Sequence, residues 1–144
     1  MTTTRASERI GDTRVRVRYA ETDQMGVVYY ANFFVWFEIG RVELLRQLGF
    51  DYKSMEIEDD CHIPVVDATC RYKAPARYDE ELIVRTRAAV LRGYILKFSY
   101  RVVRASDGQL LAEGETAHVV TDSKMKRRML PEKYVEVLNR VREE

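Results

Sequence analysis

In Tyr19-Ala-Glu-Thr-Asp-Gln-Met-Gly-Val-Val-Tyr-Tyr-Ala-Asn-Phe-Phe34, one carboxylate and one glycine turn stand directly before a long apolar segment. If that segment is a helix, its first turn presents unpaired N–H groups and the positive end of the macrodipole. A carbonyl oxygen held there would be polarised, and a nearby carboxylate could attack the carbonyl carbon or activate water. Asp23 is the candidate for that carboxylate, and the chemistry is acyl transfer. An aspartate before a turn glycine also commonly bonds only the local backbone. Gly26 fits a position that needs positive φ or a close backbone approach to a ligand.

The elements that must position these residues are legible from periodicity. Arg14 to Tyr19 alternates strictly, with Val15, Val17 and Tyr19 on one face and three arginines on the other, as in a half-buried strand. Asn32 to Leu48 carries Phe33, Trp36, Phe37, Gly40, Leu44 and Leu48 at helical spacing. Phe34, Val35, Ile39, Val42 and Leu45 widen the apolar surface, so this helix is expected to be wrapped by its surroundings. Gly49 ends it, and Glu38 with Arg41 and Glu43 with Arg46 are expected to pair on its polar face. Asp51 to Asp60 reads as a short irregular or helical stretch. Four strands follow, His62 to Lys73, Glu81 to Val90, Tyr94 to Val103 and Leu110 to Thr121. Arg92-Gly93 and Ser106-Asp107-Gly108 turn the last three into a meander. Pro131 opens a terminal amphipathic helix with Tyr134, Val135, Leu138 and Val141. One strand, one buried helix and four antiparallel strands make an α+β arrangement in which a curved sheet covers the helix.

The residues Thr22 to Val28, then Tyr30-Ala31-Asn32 and Glu38-Ile39-Gly40-Arg41-Val42-Glu43, resemble the hotdog-fold acyl-CoA thioesterases of the 4-hydroxybenzoyl-CoA type, nearest their Tol-Pal-associated bacterial branch. The resemblance covers nearly the whole chain and is most specific from Tyr19 to Arg46. It implies a hotdog fold, a five-stranded antiparallel sheet around one central helix with a C-terminal helix added. It implies an acyl-CoA substrate, no cofactor, and a homodimer or homotetramer with the substrate tunnel between subunits. Asp23 matches the catalytic aspartate, which acts either as nucleophile or as general base. Tyr30 matches the residue whose backbone N–H meets the oxyanion, with Gly26, Val27 and Tyr29 lining the substrate beside it. Much of the Tol-Pal-associated branch carries histidine where this chain has Tyr30. Relatives hold the coenzyme A nucleotide with basic residues at the turn before the fourth strand, where this chain offers Arg92, supplemented by Lys97 or by Arg127 and Arg128. Glu38 and Glu43 are competing carboxylates, because another hotdog lineage carries its catalytic acid on the helix.

The composition restricts the alternatives. The 144 residues fit one domain, residues 1–144, and 46% hydrophobic content is enough for a core. The 24 basic side chains nearly balance 23 acidic ones, so bulk charge calls for neither nucleic acid nor an anionic membrane. No apolar leader or membrane span is expected, which suggests the cytoplasm. Cys61 and Cys70 read as reduced, and with His62 and His118 they match no metal spacing. His118 reads as a surface or hydrogen-bonded core residue. Two other readings stay open: hydrolysis of acyl groups carried on an acyl carrier protein, and a non-catalytic acyl-CoA-binding module. A hydratase of the same fold is disfavoured because no histidine precedes His62.

Overall fold

The computed structural model describes residues 9–142. Its elements are β1 (Asp12–Arg16), α1 (Asn32–Gln47), α2 (Tyr52–Glu58), β2 (Val65–Tyr72), β3 (Glu81–Arg92), β4 (Ile95–Arg104), β5 (Leu110–Val119) and α3 (Glu132–Asn139). The five strands form one antiparallel sheet in the order β1-β3-β4-β5-β2. The strand that precedes α1 and the strand that follows it thus lie at opposite edges.

The inward residues expected from alternation are buried: Leu82, Val84, Thr86 and Ala88 on β3, and Leu96, Phe98, Tyr100 and Val102 on β4. On this face α1 lays Phe33, Trp36, Phe37, Gly40 and Leu44. Phe37 stacks on Tyr100 with ring centroids 4.3 Å apart. Gly40 is what permits the close approach, since a Cβ there would lie 2.4 Å from Thr86 Oγ1 and 3.0 Å from Val84 Cγ1. The far end of α1 is tied to β1 by Gln47, whose side chain accepts from Gly11 N at 2.7 Å and donates to Asp12 O at 3.0 Å. Asp51 caps α2 by accepting from Ser54 N at 2.8 Å. The terminal helix α3 buries Tyr134 and Leu138 as its pattern implies.

Four expectations are corrected. The first strand ends at Arg16, and Tyr19 begins a 3-10 turn (Tyr19–Glu21) that swings its ring out to 77% exposure. The strand expected from His62 starts at Val65. Arg41 does not pair with Glu38 on the surface; it turns inward to the hydroxyls of Tyr52 and Tyr100, whereas Glu43 and Arg46 do pair. The sheet covers only one side of α1, leaving Val35 and Ile39 exposed on the other. Edge strand β2 is likewise open, with Val65 and Val66 exposed.

Candidate active site

Two short connections build the site at the start of α1. Thr22 to Val28 folds into a tight hairpin, in which Asp23 N donates to Val27 O at 2.9 Å and Gly26 N donates to Asp23 O at 3.0 Å. Gly26 sits at φ +80, and no atom lies within 4 Å of where its Cβ would be. Of the two readings for Gly26, turn conformation is the one its geometry satisfies. Asp23 Oδ1 accepts from Met25 N at 2.8 Å, which fixes the side chain, while Oδ2 has no partner among the described residues.

The hairpin is fastened to the helix by Glu21, a residue the sequence motif did not single out. The residue is 6% exposed, and its carboxylate accepts from Arg18 N at 2.8 Å and from Trp36 Nε1 at 3.1 Å. Its carbonyl accepts from Tyr29 N and from Asn32 Nδ2, each at 2.9 Å. Nothing local marked this residue, because Arg18 at the cap position has no acceptor to offer, and burial of the carboxylate on Trp36 exists only once the loop folds over α1.

At the helix start, Asn32 N, Phe33 N and Phe34 N donate to the carbonyls of Tyr29, Tyr30 and Ala31. The N–H groups of Tyr30 and Ala31 donate to no acceptor among the described residues. Tyr72, at the end of β2, donates its hydroxyl to Tyr30 O at 2.9 Å. This bond holds the Tyr30–Ala31 peptide from its carbonyl side and so orients the Ala31 N–H on the opposite side of the same plane. Burial, followed by the effect of the neighbouring Cys70 thiol, pushes the Tyr72 phenol above its ordinary range, so it remains a donor.

These pieces surround a pocket of about 370 Å³. Asp23, Val27 and Tyr30 line it, with Phe33 and Tyr72 as aromatic walls and the segment Lys73 to Ala76 as its far side. The walls are mainly apolar and the polar groups few, as in a site for a small organic group. Tyr72 and Lys73 to Ala76 were not foreseen, because nothing local marks the end of one strand as lying against a helix forty residues earlier. Other expected residues are placed apart. Tyr29 lies outside the lining with its ring 4.8 Å from that of Tyr30. Arg92 is exposed at the end of β3, and Lys97, on β4, lies 4.0 Å from Glu115 on β5. Register sets both near the level where β2 begins, since Leu96 and Val65 both pair with His118, whereas Tyr72 pairs with Ala112 at the other end. Glu38 is exposed, and Glu43 is engaged with Arg46. Among the described residues no group of three His, Cys, Asp or Glu side chains is placed to hold a metal ion, and no helix is long and apolar enough to cross a membrane.

Residues 17–141 match the family model of the thioesterase-like superfamily, and the chain belongs to that superfamily. It is 39% identical over 122 residues to the acyl-CoA thioester hydrolase YbgC of Escherichia coli O6:H1, an alignment covering 84% of this chain and 90% of the other. Its fold is similar to that of a hypothetical protein from Thermus thermophilus, with a TM-score of 0.82 and 41% identity over 90% of this chain and 98% of that one. It is equally similar in fold, at TM-score 0.82 and 30% identity, to the DHNA-CoA thioesterase of Staphylococcus aureus, over 90% of this chain and 89% of that one. The α+β arrangement described above is the hotdog fold.

Proposed function

We propose that this protein hydrolyses acyl-CoA thioesters, as a member of the 4-hydroxybenzoyl-CoA type nearest the Tol-Pal-associated bacterial branch. The observation that carries this reading is that Asp23, whose Oδ2 has no partner among the described residues, lines the same mostly apolar pocket as Tyr30, whose N–H, like that of Ala31 next to it, donates to no acceptor among those residues. Similarity to a named acyl-CoA thioester hydrolase supports the substrate class.

In this mechanism the thioester carbonyl oxygen accepts from the N–H of Tyr30, with Ala31 beside it, so negative charge developing on that oxygen meets the positive end of α1. A backbone donor is indifferent to side chain, so tyrosine at position 30 preserves the oxyanion contact. Asp23 then acts by one of two balanced routes. As nucleophile, Oδ2 bonds to the carbonyl carbon, the C–S bond breaks, coenzyme A leaves as thiolate, and water hydrolyses the resulting anhydride. As general base, Asp23 takes a proton from a water that attacks the same carbon, the C–S bond of the tetrahedral intermediate breaks, and coenzyme A leaves as thiolate and takes up the proton that Asp23 holds. Single turnover in ¹⁸O-water separates them, because only the anhydride route can leave label in the Asp23 carboxylate. Val27 lines the pocket, Gly26 supplies the turn that places it, and Arg92 and Lys97, at the level where β2 begins, are available only to the far, nucleotide end of an extended coenzyme A.

Asp23→Asn retains size and the Met25 bond while removing the charge. The expected result, read as thiol release from acyl-CoA, is a fall in kcat of about 10²-fold or more with KM little changed. A folded variant that keeps more than a tenth of parental kcat would remove Asp23 from the mechanism and turn attention to Glu38.

A further inference from the structure

About three turns along α1 from Tyr30, Arg41 points into the protein and is 8% exposed. Its Nε donates to Tyr52 Oη at 3.2 Å and its Nη1 to Tyr100 Oη at 3.1 Å. Both acceptors are phenols, and burial holds each above its ordinary titration range, so neither supplies a countercharge at neutral pH. None of the ion pairs among the described residues includes Arg41. Burial opposes the charge on Arg41, but the two phenols favour it and on balance hold the guanidinium charged; a buried cation whose hydrogen-bond partners are neutral retains an attraction for an anionic ligand.

The remaining end of the guanidinium, Nη2, has no protein partner among the described residues, yet it is not one of the sealed polar atoms of the interior. Arg41 lines a second pocket of about 270 Å³, whose walls include Tyr52, Glu56, His62, Ile63 and Met125. This pocket lies where the chain enters β2, at the opposite end of that strand from Tyr72 and the Asp23 pocket. The acids nearby face His62: Asp60 Oδ1 lies 3.3 Å from Nε2, and Glu56 Oε2 lies 3.7 Å from Nδ1.

Arg41 itself is held rigidly. His118 Nδ1 faces only the carbonyl of Ile63, at 2.9 Å, and must donate to it, so Nε2 accepts from Thr116 Oγ1 at 2.8 Å. Thr116 therefore accepts from Tyr100 at 2.6 Å, and Tyr100 is left to accept from Arg41. Every donor in the chain from Arg41 to Ile63 has a determined direction, which fixes the guanidinium in advance of any ligand and lowers the ordering cost of binding.

We propose that the Arg41 pocket is a binding site for a small monocarboxylate, whose carboxylate meets the open edge of the guanidinium and whose carbon skeleton lies against Ile63 and Met125. A planar carboxylate matches the guanidinium fork. Glu56 in the wall disfavours a ligand bearing a second negative charge, such as a phosphate monoester. The inference stands on this pocket and not on the hydrolysis reading, although hydrolysis of a thioester would release an acid of this class.

The test is equilibrium binding of benzoate to the full chain as it assembles in solution, followed by calorimetry and by the Nε–H resonances of the arginines. Saturable binding that shifts the Arg41 resonance is expected, with neutral benzamide weaker by about tenfold or more, the scale of a charged hydrogen bond. Arg41→Met should weaken benzoate at least as much. Because that change leaves two phenols without a donor and can compromise folding, Ile63→Trp, which fills the pocket and keeps Arg41, is the second variant and should also cost about tenfold. Val27→Trp, which fills the Asp23 pocket, should leave benzoate affinity unchanged. Absence of saturable binding, equal affinity for benzamide, insensitivity to Ile63→Trp, or loss in Val27→Trp would each overturn the proposal. None of these measurements depends on turnover, so they fail independently of the Asp23→Asn experiment.

Discussion

Asp23 divides its two oxygens: Oδ1 closes the turn on Met25, and Oδ2, without a partner among the described residues, is the oxygen that the proposed mechanism uses. In the proposed mechanism Tyr72 would support the oxyanion contact, because its hydroxyl bond to Tyr30 O sets the plane of the peptide that carries the Ala31 N–H. Tyr72→Phe removes one such bond, so kcat should fall about 5- to 10-fold, roughly 1 kcal/mol, with KM and thermal stability nearly unchanged. Equal kcat in the two proteins would show that the helix start is rigid without Tyr72. His118 offers a residue-level test of the fold. Burial lowers its pKa from 6.5 to about 4, with the Ile63 carbonyl opposing that shift and Arg41 adding to it. The folded state therefore resists a proton that the unfolded chain accepts. No penalty exists above about pH 6.5; it grows as pH falls to about 4, reaching at most about 3 kcal/mol at 1.36 kcal/mol per unit. Denaturant unfolding from pH 7.5 to 4.5 should show this loss. In His118→Asn the fall should be shallower, even though that protein is less stable at neutral pH.

At the scale of elements, the decisive contact is α1 on β3. Helix and sheet approach at Gly40 more closely than any residue with a Cβ allows, given Thr86 and Val84 beneath it. Gly40→Ala gains helix propensity of about 1 kcal/mol but must lift the helix off the sheet, an overpacking cost of about 1–3 kcal/mol or more. Net destabilisation is expected, together with reduced activity, since the Tyr30 and Ala31 N–H groups stand at the start of the same helix. An Ala variant as stable as the parent in urea would mean that Thr86 and Val84 can yield.

For the whole molecule, the open surfaces predict association. β2 presents an unpaired edge with Val65 and Val66 exposed, and α1 leaves Val35 and Ile39 uncovered. An exposed strand edge with apolar flanks is a template for pairing with a second copy. Sedimentation at micromolar concentration should give a dimer or tetramer. Val66→Asp, at a side chain 60% exposed in the single chain, should weaken association at least tenfold without unfolding the subunit. An active monomer would remove the shared-tunnel arrangement.

Local chemistry determined much of this protein directly. Strand alternation from Glu81 to Val103 and the helical spacing of Phe33, Trp36, Phe37, Gly40 and Leu44 placed the core face correctly, because burial acts on every second residue of a strand and every third or fourth of a helix. The motif from Thr22 to Val28 likewise marked the hairpin that holds Asp23. Only the tertiary structure decided which distant groups meet. Arg41 has a surface position by the i, i+3 pattern with Glu38, yet Tyr52 and Tyr100, supplied by a separate helix and strand, draw it inward. Glu21 is buried because Trp36 offers an indole N–H from the next element, and Tyr72 reaches Tyr30 because β2 forms the far edge of the sheet. Periodicity records which face of an element is apolar; the partners of a polar side chain depend on sheet order and crossing distance, and these are set by contacts between residues far apart in the chain.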